Sequence, residues 1–352
     1  MIDTGLRLWL DQHAVQLDQG LADEESVLPK LAEAGLLRLG VAEQWGGEGQ
    51  LVDALESVAA VAEHSLTAAF VLWAQRAFIE YLQYSDNTQL VERLLPDLLV
   101  GRQAGATGLS NAMKFLCGIE ELGVRATPHG EGWKLDGRLP WVTNLRKGGF
   151  VVAAAVELPG GKPFIAALPD DLLGFERSAD LRLLALQGSN TAALKLDAVD
   201  MSRDWLIDAD ALSFLPRVRP SFLGLQCGMS LGLARRCLSE AGQHLSGCRT
   251  VLDGEYRALQ EQLAQAGQAL SEGLADGRFA EDAASLFRLR IRLAELAADA
   301  LQLELQASGG RAYLLDHGEG FARRWREAAF VPVVTPSLVQ LRTQLQASGA
   351  AA

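Results

Sequence analysis

The sequence has little with which to meet a polyanion or to cross a membrane. Its 32 Lys and Arg are outnumbered by 44 Asp and Glu, for a formal net charge of -12, and no dense basic run breaks that excess. Nucleic-acid binding needs a basic face, so that partner class is set aside. Charged residues interrupt every apolar segment before it reaches the length of a membrane span, so no membrane span is expected. Met1 to Gly5 carry neither the basic stretch nor the apolar core of a secretion signal, and a cytoplasmic location is the expectation. Cysteine is scarce. Cys117, Cys227, Cys237 and Cys248 show no C-x-x-C spacing and no histidine at ligand spacing, so they read as small buried apolar residues rather than disulfide or zinc partners. The glycines of Val41 to Gly49 lack the G-x-G-x-x-G order, and no βαβ pattern surrounds them, which argues against a nicotinamide-dinucleotide fold and for a sharp loop between helices.

What is present is apolar residue, 49% of the chain, enough for a sizeable core over one to three domains. Leu6 to about Gly101 reads helical, and the Ala-rich stretch Leu51 to Tyr84 reads as buried helices packed on one another. From Gly105 to about Asp208 that period gives way to short apolar runs, Val151 to Val156, Phe164 to Leu168 and Ala192 to Leu196, separated by turn residues, as in a small β-domain. Beyond Ser213 the helical period returns in four segments, Leu223 to Ser246, Glu255 to Leu274, Glu281 to Ala307 and Gly320 to Ala329, which suggests a bundle.

Gly132 to Asn144 concentrates the chemistry. Asp136-Gly137 between Trp133–Leu135 and Leu139–Thr143 predicts a tight β-hairpin turn. Period-2 alternation then sets Trp141 and Thr143 on one face, an aromatic ring beside a hydroxyl, as a planar heterocycle would need. Packing within a half-buried hairpin accounts for the same residues equally well.

With these features in place, the chain resembles the acyl-CoA dehydrogenases. Trp141-Val142-Thr143-Asn144 is similar to their tryptophan-isoleucine-threonine-asparagine segment. Leu28 to Gly49 resembles their N-terminal passage, and Gln187 to Thr191 their glycine-x-glycine-serine segment. Gly232 to Arg236 is similar to the opening of their C-terminal bundle. Arg249, Leu252, Tyr256 and Gln260 match the spacing of an arginine-x-x-phenylalanine-glycine motif, with Leu252 for phenylalanine, and Gln306 to Tyr313 matches glutamine-x-x-glycine-glycine-x-x-tyrosine. The resemblance implies an α+β fold of three domains: N-terminal all-α (1–103), a central small β-barrel or sandwich (104–210), and a C-terminal four-helix bundle (211–352). It also implies FAD. Thr143 would bond flavin N5, Trp141 would lie against the isoalloxazine, and Thr107 would bond its pyrimidine edge. Arg249 would hold the pyrophosphate, while Gln260, Gln306, Gly309 and Gly310 would meet the adenosine-pyrophosphate part from a neighbouring subunit of a homodimer or homotetramer. Two local readings stay open, Arg249 as a solvated helix-end cation and Gln306 to Gly310 as a helix C-cap.

The catalytic position departs from the family. Its glutamate base falls on Thr335, followed by Pro336, and the alternative base position falls on Phe222; neither residue can take a proton as that base does. Asp316 or Glu319 would be substitutes. One reading is an FAD-dependent oxidoreductase moving hydride from an acyl thioester, or from another hydrophobic substrate, to flavin. Another is a flavin-dependent monooxygenase of the same fold, with FMN an option, supplied with reduced flavin by a reductase. A third is a non-catalytic homologue. An electron-transfer flavoprotein is the partner implied for the dehydrogenase. Substrate-lining residues would lie around Phe70 to Ile79 and Phe214 to Leu225, with Arg217 and Arg219 either holding an anionic group or lying at the surface.

Overall fold

The structure is a computed structural model that describes residues 2–116, 118 and 120–349; Cys117 lies outside them. Five helices come first: α1 (Thr4–Gln19), α2 (Val27–Glu33), α3 (Leu51–Ala62), α4 (Leu66–Gln83) and α5 (Thr88–Leu99). Short polar side chains set their starts. Asp3, Ser65 and Asn87 each accept a first-turn backbone N–H, satisfying donors that a helix start leaves orphaned. Every residue of α4 from Leu66 to Leu82 is buried. A helix buried on every face must be wrapped by protein, its Arg76 and Glu80 paired with one another, and α4 accordingly packs against α1, α3, α5 and the strand that follows.

The chain then builds β1 (Ala104–Thr107), α6 (Ser110–Phe115), β2 (Val124–His129), β3 (Gly132–Val142), β4 (Phe150–Glu157), β5 (Phe164–Pro169), β6 (Phe175–Arg177), β7 (Ala192–Met201) and β8 (Leu206–Asp208). All eight strands join one sheet in the order β6-β7-β3-β2-β4-β5-β8, with β1 parallel to β4. One edge of β4 is shared, since β1 takes Phe150 to Ala153 and β2 takes Val156 and Glu157. The two strands expected on either side of Asp136-Gly137 are a single strand, β3. The hairpin turn lies earlier, at Gly130-Glu131, where His129 pairs with Gly132. Asp136-Gly137 instead runs through the strand, and the irregularity there belongs to β7, which sets Asp197 and Ala198 against Asp136. Gly137 sits at φ 144°, and a Cβ there would lie 2.2 Å from Gly123 O. A glycine meets that close approach without a Cβ, the extra residue of the bulge opposite lies in β7, and β2 and β7 pair on both edges and carry β3 through.

The remaining helices are α7 (Ala211–Gly242), α8 (Asp253–Ala275), α9 (Ala283–Ser308), α10 (Leu315–Ala328) and α11 (Leu338–Ala347). Helix α9 packs on α7, α8, α10 and α11, and α7 reaches across to α3 and α4. Ion pairs fasten α10 to its surroundings, Arg324 with Glu304 of α9 and Arg326 with Asp18 of α1, while Arg323 pairs with Glu327 within α10. No helix among the described residues is long and apolar enough to cross a membrane. Cys227 and Cys237 are buried, but Cys248 is exposed, which corrects the expectation for that residue. It falls in the turn Gly247–Leu252 at the end of the bundle, outside the core.

Candidate functional site

The end of β3 is locked in place by buried polar groups. Asn144 adopts the left-handed conformation (φ 65°), and its Nδ2 donates to Gln75 Oε1 and to Gly105 O, both at 2.9 Å. Gln75 Oε1 also accepts from Gly105 N, while its Nε2 donates to Leu98 O and Gln103 O. One side chain of α4 thereby ties together β1, the end of β3 and the end of α5. Leu186 and Asn190 are left-handed as well. Asn144 N donates to Ser189 O and Leu145 N to Asn190 O, while Asp18 Oδ1 accepts from Leu186 N. Three non-glycine residues in a sparsely populated conformation persist only where neighbours over-determine them.

Beside this lock, Thr143 Oγ1 lies 3.1 Å from Thr191 Oγ1, which in turn lies 2.7 Å from Ser189 Oγ. Asn190 Oδ1 is buried and has no hydrogen-bond partner among the described residues, an acceptor left for a donor. The alternation expected to pair Trp141 with Thr143 is interrupted at the strand end. Trp141 is 62% exposed and Thr143 5%, with Val142 and Asn144 buried on either side of Thr143. Thr107, at the end of β1, is buried, its Oγ1 2.8 Å from Tyr81 Oη. Burial pushes the Tyr81 phenol well above its ordinary pKa, so it stays a neutral hydroxyl.

A second group gathers at the end of the bundle. Gly309 ends α9 at φ 65° and ψ -156°, and a Cβ there would lie 3.0 Å from Arg249 Nη2. The missing side chain is what admits the guanidinium. Arg249 is half-buried and forms no ion pair with any described residue. Leu252 is half-buried beside it in sequence, whereas Gln306 and Gly310 are exposed; Gln306 Nε2 reaches only Gln302 O, at 3.4 Å. Val251 and Tyr313 stand more than four-fifths exposed, at 83% and 86%. Gln260 lies further along α8, where its Nε2 donates to Tyr256 Oη. Both residues line an open groove of about 580 Å³ that also takes in Glu56 and Arg235.

The two positions expected for a base hold Phe222 and Thr335. Phe222 is fully buried, its carbonyl accepting from Trp73 Nε1 at 3.0 Å. Its ring meets Trp73 edge-on at 5.0 Å; Phe70 stacks on Trp73 at 5.5 Å and meets Phe330 at 4.7 Å. Aromatic rings therefore fill the space between α4 and α7. Thr335 O accepts from Gln226 Nε2 at 2.9 Å, Gln226 Oε1 accepts from Arg290 Nε at 3.0 Å, and Arg290 Nη2 donates to Val331 O at 2.6 Å. Burial pulls the Arg290 pKa down. Asp316 and Glu319 are exposed in the first turns of α10. Glu327 is a fully buried carboxylate, its pKa pushed up by burial, but Arg323 and Leu66 N already engage it. Arg217 pairs with Asp208 at the surface, and Arg219 lies over the Phe287 ring. Among the described residues no group of three or more His, Cys, Asp or Glu is arranged to hold a metal.

Sequence reasoning missed Gln75, Tyr81, Gln226 and Arg290. Only Arg290 left a trace: Arg288, Arg290 and Arg292 alternate along a helix, and side chains two apart point in different directions.

No family model matches the chain. A probable acyl-CoA dehydrogenase of Mycobacterium leprae, fadE25, is 26% identical over 241 residues, 65% of this chain and 60% of that protein. The butyryl-CoA dehydrogenase structure from Megasphaera elsdenii superposes with a TM-score of 0.84, covering 99% of this chain and 95% of that one at 17% identity. The chain belongs to the acyl-CoA dehydrogenase superfamily. The superfamily fold also takes in KijD3, solved with FMN and a dTDP-linked amino-keto sugar, which superposes with a TM-score of 0.80 over 98% of this chain and 92% of that one at 19% identity. At these identities the structural likeness is one of fold, and the chain spans about 60% of the length of the curated superfamily member it matches.

Proposed function

We propose that the protein is a flavin-dependent oxidoreductase that works without a carboxylate base, as a monooxygenase rather than an acyl-CoA dehydrogenase. The observation that carries this is the segment after α10. The polar side chains that meet its backbone at Val331 and Thr335 are a guanidinium and an amide, Arg290 and Gln226. Phe222 fills the other base position. Removing the α-proton of an acyl thioester needs a group able to hold it near neutral pH, and neither a phenyl ring nor an alcohol does so.

The residues present fit a flavin. Arg249, free of acidic partners beside Gly309, suits a diphosphate, which favours FAD, with FMN the alternative. Leu252, Gln260, Gln306 and Gly310 would serve the adenosine side, from a neighbouring subunit of a homodimer or homotetramer. Trp141, Thr143 and Thr107 would border the ring system, and the unpaired Asn190 Oδ1 offers an acceptor to a ring N–H. When bound, the flavin supplies a two-electron carrier that, once reduced, reacts with oxygen. The chain's own part is to hold and orient the cofactor and to keep water from it through the crowded aromatic wall of α4 and α7. That wall suits a small hydrophobic substrate. The domain limits proposed with this reading are 1–103, 104–210 and 211–352.

The dehydrogenase stays as a second reading because fadE25 carries that description; its electrons would leave to an electron-transfer flavoprotein. The test is oxygen uptake by the flavin-loaded protein with a flavin reductase and a panel of small hydrophobic substrates. Substrate-dependent consumption, with an oxygenated product, is expected. Consumption that no substrate alters would overturn the monooxygenase.

A further inference from the structure

Arg290 is 1% exposed and pairs with no carboxylate among the described residues; its Nη1 has no hydrogen-bond partner there. Burying a cation without a counter-charge is costly, so its position calls for a physical reason. A guanidinium only donates hydrogen bonds. Gln226 must therefore turn its carbonyl oxygen to Arg290 Nε, and that orientation fixes the amide NH2 on Thr335 O. The same guanidinium donates to Val331 O, just past the C-terminal end of α10, where helix carbonyls favour a cation. Two carbonyls of one short arm are thus held by one cation, directly and through one amide. Phe330, at the root of the arm, rests on Phe70. Gln226 lies one turn along α7 from Phe222, whose carbonyl takes the Trp73 N–H.

We propose that Arg290 and Gln226 are positioning residues that hold the 330–335 arm against the wall of Phe70, Trp73 and Phe222, and so set the shape of the substrate space beside the flavin. The proposal rests on the flavin reading above, and its test is chosen to separate the two. Gln226→Glu is close to isosteric. The new carboxylate still accepts from Arg290, and now neutralises it, but it cannot donate to Thr335 O. Hydrogen–deuterium exchange on the full chain at mildly alkaline pH should rise by roughly tenfold or more at Val333, Val334 and Leu338, without a fall in the thermal midpoint. In the flavin-loaded protein KM should rise several-fold, while flavin affinity stays unchanged. Arg290→Lys, which keeps a donor for Gln226, should restore most of the protection lost in a control Arg290→Met protein. Unchanged exchange in Gln226→Glu, or a rise spread evenly over the chain, would overturn the proposal. Should that variant not fold, wild-type exchange decides. Arm amides as protected as those of α9 support the clamp, and arm amides as fast as those of surface loops refute it. A wild-type protein that holds no flavin removes the flavin reading, and the exchange result then decides the arm alone.

Discussion

Around Gln75 every donor and acceptor of the side chain is engaged, by Leu98, Gln103, Gly105 and Asn144. At the far end of the bundle, Arg249 faces Gly309 with no acidic partner among the described residues, and Val251 and Tyr313, near the two in sequence, are exposed. The first region is dry and saturated, and its polar groups are committed to one backbone arrangement. The second is wet and unsaturated, with its polar groups uncommitted. Buried polar groups that are fully paired make a structure unique, and the same groups left half-paired would destabilise it. A half-buried cation that still reaches solvent costs little when empty and gains when an anion arrives. On the flavin reading, the contrast would separate residues that build the site from residues that meet the cofactor.

Substitutions can break that contrast or sharpen it. The largest effect should come from Gln75→Leu, which strands Gly105 N, Leu98 O, Gln103 O and half of the Asn144 amide in the interior. A loss of about 4 kcal/mol is expected in denaturant unfolding, and a loss below about 1 kcal/mol would mean that water reaches the region after all. Arg249→Ala should do the reverse. Unfolding free energy should change by less than about 0.5 kcal/mol, while FAD affinity measured by fluorescence titration falls about 10- to 100-fold; FMN, lacking the diphosphate, should lose far less.

The smallest effect concerns pH. Burial raises the Glu327 pKa from 4.5 against the pull of Arg323. The folded protein then binds more protons than the unfolded chain above pH 4.5, so this group makes stability fall as pH rises toward its folded value. Glu327→Gln should remove that share of the slope, at most about 1.4 kcal/mol per pH unit. A slope unchanged between the two proteins would show that the carboxyl titrates normally.

How much the sequence disclosed follows from how far apart the partners lie. The buried helix α4 was legible from its apolar run and the later part of α7 from its helical period, although α7 begins at Ala211, well before Leu223, and runs through Pro216 and Pro220; β4 and β5 were legible from short apolar runs bounded by turn residues. The superfamily was legible because its motifs are local. Asp136-Gly137 misled, since the dipeptide signals backbone freedom and only pairing with β2 and β7 decides between a turn and a strand that runs on opposite a bulge. Trp141 lost its partner face because it falls in a bulge of β3 between Leu139 and Val142, which leaves Pro140 and Trp141 both exposed, and the strand ends one residue later. The interior polar network was illegible for a different reason. Gln75 meets Asn144 across 69 positions and Arg290 meets Gln226 across 64, so a lone polar residue in an apolar run gives no hint of what satisfies it. At the bundle end, Arg249 could be placed by its motif spacing, but its closeness to Gly309 emerged only from the fold.

The decisive measurement is an anaerobic titration of the purified, flavin-loaded protein with acyl-CoA thioesters from short to long chain, followed by flavin absorbance. With Thr335 and Phe222 where a base would stand, the flavin should remain oxidised throughout, while a flavin reductase bleaches it. Bleaching by any acyl-CoA would show that the chain abstracts the α-proton by another group, and the base-free assignment would fall.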